Sequence, residues 1–280
     1  MFHRLSLLVA LAAAVGLLAA LPAGARAPHR IVSLSPTATE SLFAIGAGKQ
    51  VVAVDDQSDY PKRAPHSRLS GYTPNVEAIA GYRPDLVVIS GDPGGVVEAL
   101  RKLGIRVLLQ PAATNLAGAY AQIRQLGTAT GHARAAVSLV AKMKRSIARA
   151  VASAPKLRLS VYHELTPDYY SATSSTFIGR IYKLFGLRNI ADAADSSGSG
   201  YPQLSAEYIL SSDPSLIVLA DTRCCAQSPS TVERRPGWSG LTAVRGHAVV
   251  AVDDSVASRW GPRIVTFVRA VAKALSRTNR

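Results

Sequence analysis

The chain has 280 residues, 48% of them hydrophobic and 18% charged, a formal net charge of +14 at pH 7, and two cysteines, the neighbours Cys224 and Cys225. That length suffices for one large domain or for two lobes, each with a core of its own. The basic residues are scattered, with short clusters at Lys142 to Arg145 and Arg234-Arg235 and no aromatic-basic motif beside them. This excludes nucleic acid as the expected partner and reads as solvated surface, with a small subset of cations left to face an anion.

Residues 1–27 read as an export signal. Arg4 precedes the apolar run Leu5 to Leu21, and Ala25-Arg26-Ala27 offers small residues for cleavage. The run is nearly long enough to span a bilayer, but the cleavage site and the polar Pro28-His29-Arg30 favour removal. No cysteine stands at the cleavage site. The expected product is therefore a periplasmic or extracellular protein without a lipid anchor.

A strand from Arg30 to Leu34 ends at Ser35-Pro36. Thr37 to Glu40 then has the form of a capping box ahead of a helix from Ser41 to Ile45, which makes Glu40 a cap. Gly46 and Gly48 close that helix, and Val51 to Val54 is the next strand. The loop Asp55 to Pro61 follows a strand end, where ligands of α/β sheets bind.

Residues Gly71 to Ile89, GYTPNVEAIAGYRPDLVVI, come next, and their arrangement recurs at Gly200 to Leu219, GYPQLSAEYILSSDPSLIVL. In each copy a Gly-Tyr turn leads to a polar N-cap (Asn75, Ser205), then to a first-turn glutamate (Glu77, Glu207) where the helix dipole favours a carboxylate. A short apolar helix is stopped by Pro84 or Pro214, and an aliphatic strand follows. Runs without polar alternation fit parallel strands covered on both faces. Written twice at so long a period, the pattern predicts two similar lobes rather than a repeat array.

Between the copies, Gly91 to Gly95 lacks the spacing of a phosphate-binding loop and reads as a tight turn, followed by a helix Val96 to Leu103 and a strand Ile105 to Leu109. Helical periodicity from Asn115 is interrupted at Gly127 and Thr130-Gly131. It predicts one helix to Gly127 and a second from His132 to Ala152, about 30 Å long and suited to joining two lobes. The second half runs through a strand Leu157 to Tyr162, a helix Thr176 to Phe185, the second copy, a strand Ala248 to Val252, an Asp253-Asp254 turn and a final helix from Pro262 to Leu275, with Pro262 at its first position. The expected division is a lobe at 28–128, a connecting helix at 129–155 and a lobe at 156–280. Neighbouring Cα atoms sit about 3.8 Å apart, closer than ordinary disulfides tolerate, so Cys224 and Cys225 are either a vicinal disulfide or two thiols. No further Cys and no nearby His completes a metal set around them.

Taken in order, RIVSLSPTATE, SDYP, GYTPNVEAIAGYRPDLVV, YPQLSAEYILSSDPSLIVL and ASRWGPRI resemble the substrate-binding proteins of ABC importers for vitamin B12, ferric siderophores and haem. The resemblance covers nearly all of the mature chain. It implies an α/β fold of two pseudo-symmetric lobes joined by a long rigid helix, with a ligand cleft between them. It also implies the function: capture of an iron-siderophore or cobalamin-type metal chelate by a monomer, and delivery to a permease dimer. On that footing Glu77 and Glu207 dock with permease arginines, and Tyr60, Tyr72, Tyr170 and Tyr201 contact the ligand. Arg259 is implied as a cleft guanidinium suited to carboxylates or phosphates, and Asp254 as a cleft acid, displaced by one residue from the pattern. Haem-binding members carry an iron-ligating tyrosine at the position of Tyr72, which is the alternative ligand reading. No resident cofactor or metal is expected, since His29, His66, His132, His163 and His247 lie on different elements and read mostly as surface residues. Catalysis is not expected either, because neither His163-Glu164, beyond a strand, nor Cys225 belongs to a recognisable catalytic spacing.

Overall fold

A computed structural model describes residues 27–277, and the expected export signal falls, apart from Ala27, outside the described residues. The first lobe runs β1 (Ile31–Leu34), α1 (Pro36–Ala44), β2 (Val51–Val54), α2 (Val76–Gly81), β3 (Leu86–Ile89), α3 (Val96–Lys102) and β4 (Arg106–Leu109). Two longer helices follow, α4 (Leu116–Thr130) and α5 (Ala133–Ser153). The second lobe comprises β5 (Ser160–Glu164), α6 (Phe177–Lys183), β6 (Arg188–Asn189), α7 (Ala206–Ser212), β7 (Leu216–Leu219), α8 (Pro229–Glu233), α9 (Thr242–Arg245), β8 (Val249–Ala251), α10 (Asp254–Ser258) and α11 (Ile264–Leu275). Among the described residues no helix is long and apolar enough to cross a membrane.

The strands form two parallel four-stranded sheets with one order written twice, β2-β1-β3-β4 and β6-β5-β7-β8. The two aliphatic runs are the equivalent inner strands β3 and β7, every residue of both buried. Their helices start alike, with Asn75 Oδ1 accepting from Ala78 N at 2.8 Å and Ser205 Oγ from Tyr208 N at 3.1 Å. They also stop alike: Arg83 and Asp213, each just before its proline, leave the helix with left-handed φ values of 47° and 39°, and the proline that follows cannot continue it.

α5 buries Ala136, Val140, Met143, Ile147 and Ala150, a stripe at helical spacing. It packs on α4 at one side and on α11 at the other, so a single apolar core runs from Ile31 and Val88 of the first sheet to Val161 and Phe267 of the second lobe.

Several local expectations are corrected. α1 begins at Pro36 with Ser35 as its cap, and no capping box forms between Thr37 and Glu40, because Pro36 at the first position already fixes the entry. α4 continues through Gly127. A Cβ there would collide with that of Ala136 on α5, so this glycine permits a close helix crossing rather than ending a helix. β5 lies further along than predicted, so His163 and Glu164 sit inside the strand, fully buried, and His163 is not a surface residue. Pro262 precedes α11 instead of opening it, and Asp253-Asp254 starts the short helix α10.

Candidate functional site

In a sheet of order β2-β1-β3-β4 the connections diverge between β1 and β3, which opens a crevice at the carboxyl ends of those strands. A cavity of about 410 Å³ lies there, lined by residues including Leu34, Pro36, Asp55, Gln57, Tyr72 and Asp92. A Cβ on Gly71 would come within 2.8 Å of the Leu34 carbonyl oxygen and 3.0 Å of Asp55 Oδ2, so only glycine lets the Tyr72 turn close against β1. Asp55 is buried and accepts from the Ser58 hydroxyl. Burial pushes its carboxyl up from 3.8 to about 6.

A second cavity, of about 240 Å³, lies between the lobes, with Ala113 and Thr114 on one side and Phe177, Tyr201, Ser258 and Trp260 on the other. Trp260 Nε1 donates to Gln122 Oε1 on α4 at 2.9 Å, tying the second lobe to the first.

The four tyrosines are among the few large apolar side chains left in water. Tyr60 is 44% exposed, Tyr72 80%, Tyr170 40% and Tyr201 48%, half of the eight such residues among those described. Tyr72 lines the first cavity and Tyr201 the second. The Tyr60 ring lies 4.3 Å beneath the Arg263 guanidinium, and Tyr170 sits in the loop after β5, bridged to Gln203.

Arg259 is engaged by the opposite lobe. Its Nη1 donates to Glu40 Oε1 at 3.1 Å and Asp59 Oδ1 at 2.9 Å, and its Nη2 to the Gln57 carbonyl at 2.9 Å. Arg263 Nη2 donates to the same Glu40 Oε1 at 2.5 Å, and Arg223 Nη1 reaches Asp59 Oδ2 at 2.9 Å and Asp253 Oδ2 at 3.4 Å. Every one of these cross-lobe contacts involves a loop or helix that follows the carboxyl end of a strand, so the two sheets present those ends to a common cleft. Asp254 is turned to the Cys224 turn, accepting from Arg223 N at 2.9 Å and Cys224 N at 2.8 Å. Burial opposes its ionisation, but these backbone donors hold the carboxyl below its usual range. Cys224 and Cys225 form a vicinal disulfide.

The pseudo-symmetry fails at the matching crevice of the second lobe, between β5 and β7. Glu164, the last residue of β5, forms a bidentate pair with Arg235, both contacts at 2.6 Å, and accepts from the Tyr162 hydroxyl at 3.1 Å. The Arg235 guanidinium lies 4.6 Å from the Trp238 ring. Asp221, just after β7, is fully buried and its carboxyl receives no N–H or hydroxyl donor, and burial together with the charge and hydrogen-bonding of neighbouring Glu164 pushes that carboxyl up to about 7. His163 is held neutral by burial, its titration lowered to about 3, with Nδ1 2.6 Å from the Tyr182 hydroxyl. One crevice is thus open and the other is occupied by its own ion pair.

Glu77 and Glu207 are both exposed, each on the first turn of its helix, α2 or α7. The Glu207 carboxyl is held below its usual range by its own backbone N–H and by the Ser205 hydroxyl.

A family described as periplasmic binding protein matches residues 31–256. The chain belongs to that family. Among relatives of this periplasmic binding protein, a cobalamin-binding protein of Halobacterium salinarum is 34% identical, the match covering 90% of this chain and 70% of that one. The vitamin B12 binding protein of Vibrio cholerae superposes with a TM-score of 0.75 at 25% identity, over 90% of this chain and 98% of that one. The haem-binding protein RhuT of Roseiflexus gives 0.77 at 23% identity, over 90% and 99%.

Sequence reasoning missed Glu40, Asp59, Arg223 and Arg263 as members of the cleft, and the pair Glu164 with Arg235 beneath it. Glu40 ends RIVSLSPTATE, Asp59 lies in SDYP and Arg263 in ASRWGPRI, so those motifs held a signal; Arg223, Glu164 and Arg235 lie in none of them, and their partners are far off in sequence.

Proposed function

We propose that this periplasmic binding protein captures a metal chelate of the cobalamin or ferric-siderophore class in the cleft between its lobes and delivers it to the permease dimer of an ABC importer. The observation that carries this reading is the exposure of Tyr60, Tyr72, Tyr170 and Tyr201 in loops beyond strand carboxyl ends. Rings left in water are a standing gain for any ligand that covers them, at about 25 cal/mol per Å² of apolar area. Aromatic surface also suits the flat, rigid periphery of a chelate. The names of the Halobacterium and Vibrio relatives support the ligand class. Glu77 and Glu207, exposed at equivalent places on two lobes, suit a pseudo-symmetric partner whose arginines they meet. The chain acts as an exported monomer, processed near Ala27, and as a carrier rather than an enzyme. A second reading takes haem, with Tyr72 as iron ligand, and draws on the 80% exposure of that side chain beside the open cavity.

Titration of the purified protein by intrinsic fluorescence quenching against cyanocobalamin, haemin and a panel of ferric siderophores tests the reading. At least one chelate should bind tighter than about 10 μM. Binding of none at that level would overturn it.

A further inference from the structure

We propose that the cleft selects a chelate carrying no net negative charge. This rests on the carrier reading above and narrows it to a ligand class. In a chain of formal charge +14, neither cleft cavity is lined by a single Lys or Arg among the described residues. The open crevice instead presents Asp55 and Asp92, and the cavity between the lobes has no charged residue in its wall.

Three arginines do reach the joint between the lobes, and each is already held by carboxylates. Arg259 bonds Glu40, Asp59 and the Gln57 carbonyl; Arg263 bonds Glu40 and lies 4.0 Å from Asp253; Arg223 spans Asp59 and Asp253. Three guanidiniums face three acids, charge for charge. Asp254 adds a fourth carboxylate alongside, turned to backbone N–H groups.

An anion entering the cleft must therefore take a guanidinium away from a carboxylate. At the inner end that carboxylate is Glu40, whose side chain is 1% exposed, against 13% for Arg259 and 18% for Arg263. Glu40 is fixed within α1 and has no route to water, so recruiting its arginines would strand a buried charge. At the outer end Arg223 is 53% exposed and more easily released. Releasing it, however, leaves Asp59 and Asp253 uncovered beside the incoming anion. An uncharged or cationic chelate meets none of these penalties, and its apolar rim meets the tyrosines. Cobalamins and ferric trihydroxamates fit this class, whereas tris-catecholates and the two propionates of haem do not.

The test is a charge series on the mature protein by fluorescence quenching: cyanocobalamin, an uncharged and a cationic ferric trihydroxamate, an anionic ferric tris-catecholate, and haemin. The tightest ligand should be uncharged or cationic, with both anionic chelates weaker by at least about tenfold. Asp59→Asn, which releases guanidinium donors on Arg223 and Arg259, should raise the affinity for the tris-catecholate relative to the uncharged chelates by about tenfold. Asp253→Asn serves the same purpose should Asp59→Asn fold poorly. Tightest binding of haemin or the tris-catecholate overturns the charge inference and leaves the carrier reading standing, as does an unchanged affinity ratio in both variants. Failure of every chelate to bind overturns the carrier reading and this inference with it.

Discussion

Glu40→Gln perturbs the joint between the lobes at its most buried point. In the folded chain Glu40 Oε1 is the acceptor for both Arg259, at 3.1 Å, and Arg263, at 2.5 Å. Losing the negative charge leaves Arg259 with Asp59 and the Gln57 carbonyl, whereas Arg263 keeps only Asp253 at 4.0 Å and the face of Tyr60. Removing one partner of a buried ion pair typically costs about 3 to 5 kcal/mol. Glutamine still offers one oxygen and Arg263 retains some contact with water, so the lower end applies, about 3 kcal/mol. In a chain of this size each kcal/mol lowers Tm by about 2 to 4 °C, which gives a fall of about 6 to 12 °C. Thermal and urea melts followed by circular dichroism measure it. Glu98→Gln is the control, since the Glu98 to Lys102 pair spans 3.9 Å with side chains 66% and 75% exposed and should contribute less than about 0.5 kcal/mol. Equal melts for the two variants would refute the reasoning.

Two further outcomes are expected. Burial raises the Asp55 carboxyl to about 6, so the folded chain holds that proton more tightly than the unfolded chain, and stability declines as pH rises from about 4 to 6. Asp55→Asn should then leave stability unchanged near pH 3 and raise it at pH 7 by up to about 3 kcal/mol. A gain that does not depend on pH would contradict this assignment. Reversing Glu77 and Glu207 together to Arg should abolish uptake in cells while the chelate Kd of the purified variant stays within about threefold. Loss of affinity instead would move those acids into the pocket.

The parts of the fold that were legible in the sequence are those encoded locally. Asn75 and Ser205 mark helix starts, Pro84 and Pro214 mark stops, and Leu86 to Ile89 and Leu216 to Leu219 need no distant partner to be read as buried strands. The joint between the lobes was illegible for the opposite reason. Glu40 lies 219 residues from Arg259 and 223 from Arg263, and a Thr-x-x-Glu spacing looks like a cap whether or not it forms one. The strand predicted to end at Tyr162 left Glu164 outside it; Glu164 is buried inside β5 because Arg235, 71 residues on, neutralises it, and nothing local marks that partner. Gly127 read as a stop because its purpose, the close crossing of α5, belongs to packing that the sequence does not print. For Cys224 and Cys225 the choice between thiols and a disulfide depended on a turn that Asp254, 30 residues away, holds in place.

The cleft itself is tested most directly by removing the rings that line it. With the tightest-binding chelate identified, Kd is measured for the wild type and for Tyr72→Ala and Tyr201→Ala, alongside their melting curves. Both side chains are exposed, so folding should be nearly unaffected, whereas each truncation should weaken binding by about tenfold or more. Wild-type affinity in both variants would contradict the placement of the ligand between the lobes.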